Sequence, residues 1–461
     1  MERASGQLRS LRPLTTPVLP ELIEIVPLKQ PVSAEITVPG SKSITNRALM
    51  LAALANGETK LAGALWSEDT QVMVDCLRKL GFEVEVEPDA NEFCNRAITV
   101  KGLGGKIPNA GTVEKPLELF VGNAGTAARF LSALVCLGNG VYRLSGVPRM
   151  HERPQAALFG ALRELGYRIE SANDKLPVIV HGEGWKPGTC HVRVNESSQF
   201  ASALLMGAKI GGWDVRVSGD DLEEMPYVRM TERLIEVFPK TGGEFAIEPD
   251  ASSGSYFWAA GWLLLVKAGF SFPPGPINLD KFFVRVANWP SSGWQIDAEF
   301  PNFIPPPDRV SRAFQLGDSI MTDIILAADH HLVGIRREPK PPEFSELGRL
   351  RMQETERVVA LRTELTRCGA RVLEEGDTLK VYPCELHGAE IETYNDHRMA
   401  MCFAILGLKV PGIRIKNPAC VKKTFPNFFQ KLAAPPPHGL GVTILDCADG
   451  RALEEEELFA E

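Results

Sequence analysis

Six segments of this chain follow one plan: a small polar start, an apolar helix, and usually a Gly before a strand. They run from Ser41 to Leu65, Gly122 to Leu144, Glu196 to Val217, Asp250 to Val266, Gly317 to Leu326 and Asn395 to Ile415. Between them recurs a second piece, a helix ended by Gly and followed by a strand. It is read at Asp75–Gly81–Val84, Ala161–Gly166–Ile169 and Glu364–Gly369–Val372, where Gly serves as the left-handed helix cap. Units recurring every roughly 55–80 residues cannot each bury an apolar face alone, so they must stack. Six units in 461 residues predict two domains of three, because one core of that size is too large. Units that pack alike would point their polar starts into one cleft between the domains, a favoured place for small-molecule sites.

The first start, Pro39-Gly40-Ser41-Lys42-Ser43-Ile44-Thr45-Asn46-Arg47, shows the chemistry. Gly40 permits a tight turn, and Ser41 or Ser43 can cap the helix behind it. Free N–H groups of the first turn, with Lys42 and Arg47 beside them, suit a phosphate or carboxylate.

Composition narrows the function classes. With 44% hydrophobic and 23% charged residues the chain reads as a soluble globular protein. A net charge of −8 argues against nucleic acid as partner, although a local basic pocket would still focus a small anion. Nine scattered cysteines without a C-x-x-C pair indicate reduced thiols and no zinc site. The longest apolar run, Phe257 to Val266, is about half a membrane span, so no membrane partner is expected. Residues 1–26 carry Arg3, Arg9 and Arg12 and read as an arm, with a transit remnant for plastid import as the alternative to a cytoplasmic protein. Proline clusters from 267 to 345 break the pattern, and residues 435–461, ending in an acidic run, read as a peripheral C-terminal extension.

Six strings carry a resemblance: Pro39 to Arg47, Leu119 to Ala127, Pro148 to Pro154, Ser197 to Phe200, Tyr394 to Met401 and Lys423 to Pro426. In this order they closely resemble the 5-enolpyruvylshikimate-3-phosphate synthase family, from about Leu28 to Leu432 apart from the irregular segment. The resemblance implies an α/β, two-domain enolpyruvyl transferase fold. It has three βαβαββ-type repeats per domain, an inside-out α/β barrel arrangement, and the active site in the inter-domain cleft. Residues 27–40 with 249–434 would form one domain and 41–248 the other. It implies transfer of the enolpyruvyl group of phosphoenolpyruvate to the 5-hydroxyl of shikimate 3-phosphate, by a monomer needing no metal or organic cofactor.

Residue roles follow by the same resemblance. Lys42 resembles the lysine that touches both substrates and takes part in catalysis. Ser43 and Arg47 resemble the pair on the shikimate carboxylate, Ser197 and Ser198 the hydroxyls on its phosphate, with Gln199 beside the ring and Tyr227 nearby. Asn123 and Gly125 match the loop against phosphoenolpyruvate, where Gln199 also reaches. Arg149, Arg357, Arg398 and Lys423 match the clamp on its charged groups. Asp318 matches the aspartate at the reacting hydroxyl, and Glu354 the carboxylate that moves a proton at C3.

The chain departs from the pattern at three of these places. Arg349 and Gln353 stand where the family usually has Asn and Lys, and Glu224 where it has a serine before Pro-Tyr. Gln353, beside the shikimate ring, is read as a missing cation next to Asp318. Glu224 is read as an anion near the place of the shikimate phosphate. Two other readings stay open: a relative that binds anions without turnover, and the enolpyruvyl transferase acting on UDP-N-acetylglucosamine. The latter begins Lys-Asn and has a reactive cysteine in a mobile loop, whereas Cys136 lies in an apolar helix.

Overall fold

The computed structural model describes residues 19–219, 224–269, 283–329 and 340–460. The proline run at Phe272–Pro276 and most of the N-terminal arm lie outside the described residues.

Each repeat start leads into a helix that is apolar on nearly every side, and such a helix must be buried all round. In one half these are Lys42–Leu54, Gly125–Leu134 and Ser198–Gly211. In the other they are Ala251–Lys267, Ile320–Ala327 and His397–Gly407. Every residue from Ala251 to Val266 is buried. Within each half the three helices pack on one another, and strands cover them from outside. Full burial of a side chain such as Phe257 or Leu263 stabilises by about 1.5–3 kcal/mol each.

The strands form six sheets, three per half, none of them closed among the described residues. The strand ahead of a start helix pairs in parallel with the strand behind it, as Leu117–Phe120 does with Asn139–Ser145 and Gly188–Arg193 with Trp213–Ser218. The Gly-terminated helices then lead to antiparallel hairpins such as Arg371–Glu375 with Thr378–Tyr382. Gly81, Gly166 and Gly369 all have left-handed φ, between 85° and 95°, as a helix-ending cap requires.

Two buried hydrophobic clusters result. One runs from Ile44 to Ile247, the other joins Leu19–Val38 to Tyr256–Ala460. The chain passes between the halves twice, and the passages lie side by side. Ser41 N–H donates to the Glu248 carbonyl at 2.8 Å, and Asp250 N–H to that of Pro39 at 2.9 Å. Gly40 pairs with Pro249 there. Its φ is not left-handed. It is required because a Cβ would lie 2.0 Å from the Gly63 carbonyl oxygen.

Both ends of the chain differ from the sequence reading. Leu22–Ile25, placed in the arm, is a central strand between Ile413–Lys416 and Ile444–Asp446. Residues 435–460 are not peripheral: they supply that edge strand and bury Leu440, Val442, Ile444, Leu453 and Leu458. The short apolar runs at Leu22–Ile25 and Ile444–Asp446 become buried once neighbouring strands supply their hydrogen bonds.

Candidate active site

All six repeat starts reach one cavity of about 190 Å³, through Lys42, Gly125, Ser198, Ser252, Asp318 and Arg398. Nine Lys and Arg residues line it against seven Asp and Glu, in a chain whose net charge is −8. A walled cleft holding an excess of cations raises the local concentration of anions.

Lys42, in the first turn of its helix, lies 3.2 Å from Asp69. Ser41 is the N-cap, but its hydroxyl makes no capping bond. Arg47, one turn on, is buried; it donates to Thr231 Oγ1 at 2.7 Å, Ser202 Oγ at 3.0 Å and the Ser43 carbonyl at 2.9 Å. Burial lowers its pKa to about 10. Ser197 caps its helix by accepting from Gln199 N–H at 3.2 Å, and Gln199 Oε1 accepts from Arg129 at 3.2 Å. Tyr227 lines the same wall; burial, then Asp318 and Asp297, push its hydroxyl pKa up.

Opposite stands Asp318. Arg312 Nη2 donates to its Oδ1 at 2.9 Å and Gln353 Nε2 at 3.4 Å. Arg398 Nε lies 3.2 Å and Arg357 Nη1 3.5 Å from its Oδ2. Burial would raise its pKa, but Arg398, Arg312 and Arg357 hold it well below the usual carboxylate range. Where the sequence reads Gln353 as leaving Asp318 without a neighbouring cation, Arg312 stands beside that carboxylate, and Gln353 joins Asp318 to Arg357, whose Nη1 donates to its Oε1. Glu354 is likewise held low against burial, by Lys423 at 2.9 Å and Arg357 at 2.8 Å. Arg357 is anchored behind by Asp396, at 2.7 Å. Arg398 also donates to Ser252 Oγ at 3.0 Å. His397 is buried, and burial pushes its pKa well down, which keeps the imidazole neutral.

Two of the sequence-selected residues stand elsewhere. Arg149 is exposed and paired with Glu152, away from the cavity; Arg153, four residues on and past the end of the helix Pro148–Glu152, faces it instead. Asn123 does not line the cavity: its carbonyl accepts from Arg153 at 3.3 Å. Gly125 does line it, and a Cβ there would meet Arg129 Nη1 at 2.4 Å and Arg153 at 2.7 Å.

Sequence reasoning passed over Arg129, Arg153, Arg312 and Asp297 as cavity residues. The first two stand in or beside quoted strings, so the signal was present. Arg312 and Asp297 fall in the stretch read as irregular, where no motif marked them. Asp297 accepts from Ser319 N–H at 2.9 Å, and burial with nearby Asp318 raises its pKa. Glu224 and Arg349, noted as departures, are partners of each other at 3.2 Å.

Comparison with known proteins agrees with this geometry. The family described as EPSP synthase (3-phosphoshikimate 1-carboxyvinyltransferase) matches residues 26–265 and 340–432. The unmatched interval falls on the stretch that reads as irregular. The 3-phosphoshikimate 1-carboxyvinyltransferase of Nostoc sp. is 38% identical over 436 residues, covering 89% of this chain and 98% of its own. That of Opitutus terrae is 38% identical over 447 residues, covering 90% and 97%. Among solved structures, an EPSP synthase from Acinetobacter baumannii superimposes with a TM-score of 0.63 at 21% identity, over 92% of this chain and 99% of that one. The enolpyruvyl transferase NikO from Streptomyces tendae gives 0.61 at 16% identity, over 95% and 99%. These two show the shared fold. With its repeats, its cleft and these relatives together, the chain belongs to the EPSP synthase family.

Proposed function

We propose that the chain transfers the enolpyruvyl group of phosphoenolpyruvate to the 5-hydroxyl of shikimate 3-phosphate, releasing phosphate. The observation that carries this reading is the meeting of six helix starts in one cation-rich cavity, with two carboxylates, Asp318 and Glu354, each held ionised by guanidinium or ammonium groups. Both substrates are anions, and neither could enter such a narrow space without cations to replace its water. In this reading residues 27–40 with 249–434 belong to one domain and 41–248 to the other; the two buried clusters support that split and extend the first domain out to Leu19 and Ala460.

Ser197 and Ser198 take the acceptor's phosphate, while Ser43, Arg47, Gln199 and Tyr227 hold its ring and carboxylate. Lys42, Arg153, Arg357, Arg398 and Lys423 take phosphoenolpyruvate, with backbone at Gly125 close beside it. Asp318, an ionised carboxylate, accepts the proton of the 5-hydroxyl as its oxygen bonds to C2 of phosphoenolpyruvate. C3 gains a proton from the Glu354–Lys423 pair. When an anionic substrate draws Lys423 and Arg357 toward itself, Glu354 loses the charges that depress it and can hold a proton. The adduct then returns the proton from C3, and the bond from C2 to the phosphate oxygen breaks. The protein acts as a cytoplasmic monomer; its nine cysteines are all unpaired, which supports a reducing compartment.

Phosphate release measured with purified protein tests the reading. Release is expected with both substrates together and absent when either is omitted, or when UDP-N-acetylglucosamine replaces shikimate 3-phosphate. Asp318→Asn should slow it about a hundredfold or more. No release with both substrates would refute the proposed activity.

A further inference from the structure

Two side chains from opposite halves meet over the start of the helix Ser198–Gly211. Glu224, 5% exposed, accepts the Ser198 N–H on Oε2 at 2.6 Å and faces Arg349 Nε with Oε1 at 3.2 Å. Arg349 also donates from Nη1 to the Asn195 carbonyl at 3.3 Å. A helix-start N–H and a guanidinium are the donors that suit a phosphate oxygen, and here an internal carboxylate holds both. Burial works against the charge on Glu224, but Arg349 and Arg312 outweigh it and keep the group ionised.

We propose that Glu224 is a built-in anion that competes with the phosphate of the acceptor for Ser198 N–H and Arg349, and so sets acceptor affinity. This rests on the reading above that an anionic acceptor sits at Ser197 and Ser198. A carboxylate and a phosphate cannot both occupy one buried donor pair, because like charges a few ångströms apart repel strongly where water is excluded. Glu224 stands at the N-cap of the helix Met225–Val237, so turning its side chain away breaks no helical bond. Arg349 belongs to the short turn Gly348–Met352, which runs straight into Gln353 and Glu354. With Glu224 or with phosphate as its partner, Arg349 stays drawn across the cleft, and Glu354, just past the end of the turn, stays placed.

Titration calorimetry without phosphoenolpyruvate tests this, using shikimate 3-phosphate and unphosphorylated shikimate on the parent, Glu224→Gln and Glu224→Ser. Both variants should bind shikimate 3-phosphate about tenfold tighter than the parent, with shikimate affinity changed less than about twofold. Glu224→Ser keeps the comparison available if the isosteric amide disturbs folding, and thermal melts identify such a variant. Arg349→Gln should weaken shikimate 3-phosphate binding about tenfold, again sparing shikimate. Unchanged or weaker shikimate 3-phosphate binding in both Glu224 variants would overturn the inference, making Glu224 a support for Arg349. Equal tightening of both ligands would overturn it too. If neither the parent nor any variant bound shikimate 3-phosphate, the functional reading itself would fall. Failure of the Glu224 variants alone, with the parent binding and active, would leave that reading standing.

Discussion

A methyl group on Gly125 has no free space: Arg129 and Arg153 would lie 2.4–2.7 Å from it. Both neighbours are ends of flexible side chains, so the fold survives by moving guanidiniums that line the cavity. Gly125→Ala is therefore expected to raise the KM for phosphoenolpyruvate about tenfold, with a melting temperature within about 3 °C of the parent. An unchanged KM would refute the close approach of substrate to this turn. Position 353 gives a second test. A lysine there would lose the acceptor now used by Arg357 and add a like charge beside it. Gln353→Lys should thus lower turnover about tenfold, and steady-state kinetics showing faster turnover would mean that Arg312 does not make up the charge at Asp318. Lys42, Arg398 and Lys423 were legible because each stands in a string that resembles the family's, and Arg357 was selected by the same resemblance. Arg153 was not: Arg149 and Arg153 share one string, and the turn that ends the short helix between them decides which guanidinium enters the cleft.

Helix starts are the elements on which the site is built, and their capping residues link one element to another. Asp396 accepts from Arg398 N–H at 2.9 Å and also binds Arg357, with 0% and 1% of the two side chains exposed. It therefore joins the start of one helix, His397–Gly407, to the first residue of another, Arg357–Arg367. Asp396→Asn keeps an acceptor for the cap but removes the charge opposite a buried guanidinium. Because Glu354 and Asp318 still adjoin Arg357, the expected loss is about 3 kcal/mol, the low end for breaking a buried pair. Urea unfolding should show it as a lower midpoint at similar slope; a loss below about 1 kcal/mol would mean that Arg357 is held by its cleft partners instead. Elements of this kind were readable from the chain where the cause is local. The glycines after three helices took the left-handed φ their position called for. Gly40 shows the limit, since its need is set by Gly63, a contact made only after folding.

Across the whole molecule, the two halves are tied by buried charges. Glu92 accepts from Lys431 at 2.7 Å and Asn427 at 2.7 Å, and Glu224 faces Arg349. Asp318, Glu354 and Glu224 all have folded pKa values lowered below the ordinary carboxylate range. Each therefore adds stability that is present above about pH 4 and lost as pH falls toward the folded value. Asp297, raised, binds its proton earlier and offsets a part of that loss. The melting temperature should fall steeply below about pH 4, and Asp318→Asn should melt lower than the parent at pH 7 with the gap narrowing as pH drops. A gap that stays constant would show that the charge of Asp318 is not what holds the cleft. The amino-acid sequence by itself determined the number of repeats, the polar start of each helix and the pairing of three helices with left-handed glycine caps. These depend on residues within a few positions of one another. Which cation meets which carboxylate was decided by the tertiary structure alone: Arg349 and Glu224 are 125 positions apart, and Arg357 and Asp396 are 39 apart. Charge interactions depend on distance and on exclusion of water, and both come into being only when the halves and their helix starts are packed around one cleft.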